Sequence, residues 1–135
     1  MKVAEIPGTL QLEWNEEVKA TVDTWSTYAI TAKQFRETIL EKGVNNAKAH
    51  GGRAWVMDAS KAKGAFPSDV QKLIEAEVLP TFARIGVKYF ITIKSASAIT
   101  NMSIKNYTAL LGPCGIQLVD VPDVATAIAW LKEHK

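Results

Sequence analysis

The chain has 135 residues, 47% hydrophobic and 22% charged, with a formal net charge of +2. That composition suits one globular domain and excludes a low-complexity or strongly charged disordered chain. Both signs of charge share the same segments, as in Lys33, Arg36, Glu37, Glu41 and Lys42, which reads as solvated helix surface and argues against nucleic acid as a partner.

Leu10, Leu12 and Trp14 alternate with Gln11 and Glu13, and after the polar turn Asn15–Glu17 the residues Val18, Ala20 and Val22 alternate with Lys19, Thr21 and Asp23. This period of two predicts a hairpin of half-buried strands. Thr31 and Gln34 have the spacing of a capping box, and Ile30 and Phe35 that of a hydrophobic staple, so a helix starts there with Phe35, Ile39, Leu40, Val44 and Ala47 inward. Gly43 interrupts that stripe at a cost of about 1 kcal/mol against alanine unless close packing requires it. Gly51 and Gly52 end the segment.

Trp55, Val56 and Met57 are apolar on both parities, which predicts a central strand covered on both faces. A loop follows over 60–65. Ser68 and Gln71 repeat the capping-box spacing and predict a second helix with Val70, Leu73, Ile74, Val78, Phe82 and Ile85 inward. Pro80 lies inside that pattern and should kink or restart the helix, and Gly86 closes it. Residues 87–93 form a second apolar strand. In 95–111 the residues Ile99, Met102, Ile104, Tyr107, Leu110 and Leu111 fit no single stripe. Gly112–Gly115 is a stop, 116–121 a short strand, and Pro122 opens a last helix with Val124, Ala127, Ile128 and Leu131 inward.

Alternating strands and helices predict an α/β fold. The expected architecture is one domain over 1–135, with a mostly parallel five-stranded sheet, about four helices and an N-terminal β-hairpin that contributes one antiparallel edge strand.

This order resembles the STAS-like (SpoIIAA-like) fold of anti-sigma-factor antagonists. Two stretches carry the likeness. Trp55–Val56–Met57–Asp58–Ala59–Ser60 is similar to that family's apolar strand ending in an acidic residue and a serine. Ile116–Asp120 followed by Val124–Leu131 resembles the last strand and closing helix of its STAS/SEC14-like branch. The resemblance implies a non-enzymatic protein-interaction module, or alternatively a carrier or sensor of a small apolar, lipid-like ligand. Regulatory antagonists carry an Asp-Ser-Ser-Gly stretch at the start of the second helix, whereas this chain reads Phe66–Pro67–Ser68–Asp69–Val70, with Ser68 as the one candidate phosphoacceptor.

Asp58 and Ser60, at the end of the central strand, are candidates for binding a partner or ligand, or for tying down the next loop. Lys61 beside them would favour an anionic partner. Ser68 is either a phosphorylation site held by free helix N–H groups or simply a cap. Met102 and Tyr107 belong to the irregular segment that could cover an apolar ligand. Cys114 has no base nearby to make it a nucleophile, and His50 and His134 have no metal-ligand spacing, so no catalytic residue, metal or cofactor is expected. A single cysteine, the absence of a signal-like N-terminus and no apolar run long enough to span a membrane predict a cytoplasmic protein. A homodimer is a further partner expectation.

Overall fold

The structure, a computed structural model, describes residues 1–109, 113 and 115–134, the Tyr107 side chain excepted. Six strands form one sheet in chain order: β1 (Lys2–Ile6), β2 (Leu10–Asn15), β3 (Ala20–Trp25), β4 (Ala54–Asp58), β5 (Tyr89–Ile93) and β6 (Gln117–Asp120). The first three are antiparallel neighbours and β3 to β6 are parallel. The expected five strands are therefore six. Residues 2–6 pair with β2, so β2 lies inside the sheet and β1 takes the edge. Sequence alternation missed β1 because Ala4 is its one fully buried residue. The strands expected in the middle, β4 and β5, are both interior.

Three helical segments cross one face. The first is α1 (Ala32–Phe35), a π-helix (Arg36–Val44) and α2 (Asn45–Ala49); the second is α3 (Ser68–Leu73), a π-helix (Ile74–Val78) and α4 (Leu79–Ile85); the third is α5 (Ala98–Thr108). They cover Leu12, Trp14, Trp25, Trp55, Met57 and Phe90. The opposite face is closed by α6 (Val124–Glu133), whose Ala127 and Leu131 pack on Val18, Ala20, Val56 and Ile91. No helix among the described residues is long and apolar enough to cross a membrane.

Local chemistry explains the helix boundaries. Thr31 and Gln34 form both hydrogen bonds of the capping box, at 3.1 and 3.2 Å. Gly43 is required by packing: a Cβ there would lie 2.7 Å from Leu12 Cδ2 and 2.9 Å from the Trp55 ring. Ahead of Pro80 the helix widens to π geometry, the Leu79 N–H bonding five residues back to the Ile74 carbonyl, and it restarts as α4 with proline in the first turn, where its missing N–H is harmless. The helix α6 is fixed at both ends. The Asp123 carboxylate accepts from the Thr126 N–H at 2.7 Å, and the Arg53 guanidinium donates to the Leu131 and His134 carbonyls at 2.7 Å each. Trp130 packs beside Tyr89 and stacks on His134, half-buried as its place on the closing helix predicts.

The second capping box does not form. Pro67 precedes the first turn with a fixed φ, Ser68 becomes the first helical residue, and its hydroxyl makes no hydrogen bond among the described residues. Gln71 Nε2 turns instead to Glu75, at 3.2 Å. Thr31→Ala should therefore lower stability by about 1 kcal/mol in urea unfolding, while Ser68→Ala changes it by less than ~0.5 kcal/mol. Gly43→Ala should be destabilising by roughly 1–3 kcal/mol, because overpacking against Leu12 and Trp55 outweighs the helix propensity gained. A gain in stability there would contradict the packing account.

Candidate functional site

The residues singled out by sequence fall into two groups that do not meet. At the carboxyl end of β4, Asp58 Oδ1 accepts from the Ser60 N–H at 3.0 Å and the Ser60 hydroxyl at 2.7 Å, closing the turn out of the strand. Ser60 and Lys61 are exposed on the loop that follows, and Ser68 is exposed as the first residue of α3. Met102 lies elsewhere, on α5, with Tyr107 one helical turn further on. Cys114, Leu110 and Leu111 lie outside the described residues.

The helix α5 is held by hydroxyls rather than by an apolar stripe. Ser95 Oγ donates to the Ala62 carbonyl at 2.7 Å, and Thr100 Oγ1 to the Gly64 carbonyl at 2.6 Å. Ser103 Oγ accepts from the Phe66 N–H at 3.4 Å. Asn101 brackets Ser95, accepting from its N–H at 2.8 Å and donating to its carbonyl at 2.7 Å. Buried polar residues at 100 and 103 account for the missing hydrophobic period. This network ties α5 and the 59–66 loop into one unit.

On its other side α5 faces β6 across a groove of about 550 Å³, lined by Met102, Ile104, Lys105, Lys94, Leu118 and Asp120. Met102 is 66% exposed and Leu118 44%, and apart from Ile99 on the same helix the other large apolar side chains described in the sheet and crossover helices are buried or half-buried. Lys94 and Asp120 sit 3.7 Å apart at the rim.

A third place was not anticipated. Asp23 on β3 is 4% exposed. Its Oδ2 accepts from the Trp55 indole N–H at 2.7 Å, and its Oδ1 has no partner among the described residues. Trp25 Nε1 and Thr21 Oγ1 on the same strand face are likewise buried and unpartnered. A cavity of about 30 Å³ adjoins the carboxylate, walled by Trp25, Phe35, Trp55, Phe66, Phe82 and Phe90. Period-two reading assigned Asp23 to a solvent face. The signal against that was Trp25, two residues on with the same parity, which marks that face as buried too.

Burial pushes the Asp23 carboxyl from 3.8 up to about 7, against the indole N–H groups of Trp55 and Trp25, which favour the anion; nearby Asp58 adds to the rise. Exposed carboxylates move the other way. Hydrogen bonds from Lys19 and Trp14 lower Glu16, those from Arg36 lower Glu77, and the Thr126 cap lowers Asp123.

No protein-family model, curated protein or solved structure matches the chain.

The raised carboxyl predicts a pH dependence. Its contribution to stability is fully present below about pH 4 and is lost as pH rises through about 7. Asp23→Asn keeps an acceptor for Trp55 but cannot ionise. Wild-type stability minus that of Asp23→Asn should therefore fall across this window, by on the order of 4 kcal/mol for a three-unit rise. Urea unfolding at a series of pH values measures the difference, in which the exposed carboxylates cancel. A flat difference would show that Asp23 titrates normally in the folded state.

Proposed function

We propose that the chain is a non-enzymatic binding domain of the STAS-like kind, and that the groove between α5 and β6 takes a small, mainly apolar ligand bearing an acidic group. From β2 onward the element order is the one on which the family likeness rests. The observation that carries the functional reading is the groove itself. Its volume of about 550 Å³ lies within the range of roughly 300–1,000 Å³ typical of small-molecule sites. At the rim Lys94 is paired with Asp120 and Lys105 adds one net positive charge, so the groove combines that charge with apolar contact from Met102, Ile104 and Leu118. That pairing suits an amphipathic acid better than a neutral hydrocarbon or a cation.

Titration with anilinonaphthalene sulfonate, a fluorescent amphipathic acid, tests the reading on the intact protein. Saturable binding at one site is expected. Met102→Asp combined with Leu118→Asp should weaken it about tenfold or more, since each buried side chain contributes roughly 1.5–3 kcal/mol on leaving water. Unchanged affinity in the folded double variant would reject the groove.

A protein partner on the same face is the second reading, favoured by Ile99, which is 67% exposed beside the groove and does not line it. On that reading Ile99→Asp weakens partner binding and leaves dye binding unchanged.

A further inference from the structure

The buried polar atoms around Asp23 carry an inference independent of the groove, because no residue lines both spaces. The Trp25 indole N–H lies near enough to Asp23 to favour its anion, yet neither Asp23 Oδ1 nor Trp25 Nε1 makes a hydrogen bond of good geometry. Both residues are more than nine-tenths buried and both line the same cavity. Leaving two such groups dry in an aromatic interior carries the full desolvation penalty of each. A hydrocarbon would satisfy neither atom. An ammonium would donate to Asp23 but has no lone pair for the indole. A hydroxyl group does both, and a volume of about 30 Å³ holds one water-sized molecule.

We propose that this cavity is a built binding site for a single water-sized hydroxylic molecule, which donates to Asp23 Oδ1 and accepts from the Trp25 indole N–H. The aromatic walls exclude anything larger than a hydroxyl group carrying one methyl carbon while Phe66 is in place. Phe66 is the least buried of the apolar wall residues, at 9%, and stacks on Tyr28 with ring centroids 4.0 Å apart. It therefore stands at the entrance. The occupant exchanges slowly, because Phe66 is held through its N–H by Ser103 on α5. Water and methanol share the required chemistry, and the two are separable by experiment.

The test is solution NMR of the full chain, reading nuclear Overhauser contacts between a long-lived water and the Trp25 indole proton. That resonance is identified by its loss in Trp25→Phe, or by triple-resonance assignment if that variant does not fold. The contact is expected in wild type, retained in Asp23→Asn, whose oxygen stays on Trp55 while its NH2 donates to the water oxygen, and lost in Asp23→Leu. Added methanol provides the second arm. Replacement of the water contact by one from the methanol methyl group shows a site for small hydroxyl compounds. Persistence of the water contact shows a site that takes water alone. Either result supports the proposal. No contact from water or methanol in wild type overturns it, as does an undiminished contact in folded Asp23→Leu. If Asp23→Leu does not fold, the wild-type and Asp23→Asn spectra decide.

Discussion

The architecture depends on one directional constraint. Strands β3 to β6 are laid down in order, each parallel to the last, so every crossover steps the same way across the sheet. Right-handed crossovers that repeat in one direction must all lie on one face. The buried residues follow that rule, with three helical segments on one side and α6 alone on the other. Two faces of unequal cover result. The crowded face holds most of the aromatic side chains and demands Gly43, where a methyl group would strike Trp55. The sparse face is held by one short helix, which explains why α6 is fixed at its ends by Asp123 and Arg53.

The same constraint sets the character of α5. It is the last crossover, and β6 beyond it is short and mostly exposed. There is too little sheet under α5 to bury a full apolar stripe. Its inner side is therefore docked by hydroxyl groups on loop carbonyls, and its outer side keeps Ile99 and Met102 in water. A helix held by directional bonds at a few points, with apolar residues left over, can present a binding face without weakening the core. The loop after β4 shares its anchors, which couples the turn built by Asp58 and Ser60 to the position of α5.

Asp23 is the energetic counterpoint. A carboxyl group in an aromatic layer is unfavourable as an anion and is kept near the neutral form by desolvation. It persists beside two indole N–H groups, only one of which it satisfies in good geometry. Such a group is out of place in a purely structural core, where a threonine or valine would fill a strand position at less cost. Its position on β3 sets it beside the π-helical stretches of both long crossovers, whose Ile39, Ile74 and Val78 line the same cavity.

Much of this was legible in the residues alone. The two-sided apolarity of 55–57 and the apolar run 87–93 placed β4 and β5 inside the sheet, and the side-chain spacing at Thr31 and Gln34 named the start of the first helix, because both signals are local and are read by the nearest turn or strand. The failures were all questions of what lies across from a residue. Residues 2–6 carry no period of their own and become a strand only by pairing with β2. Ser68 has the spacing of a cap, but Pro67 decides which residue enters the helix first. Asp23 alternates like a surface residue and is buried because helices from two later crossovers close over that face. The helix α5 has no apolar stripe because its partners are loop carbonyls, which no periodicity records. The sequence determined most of the strands and helices, since hydrophobic period and cap spacing are local signals, while β1 was left to its pairing with β2. Which face each polar residue meets was decided by the tertiary structure alone, since it depends on chain that arrives from the other end of the sheet.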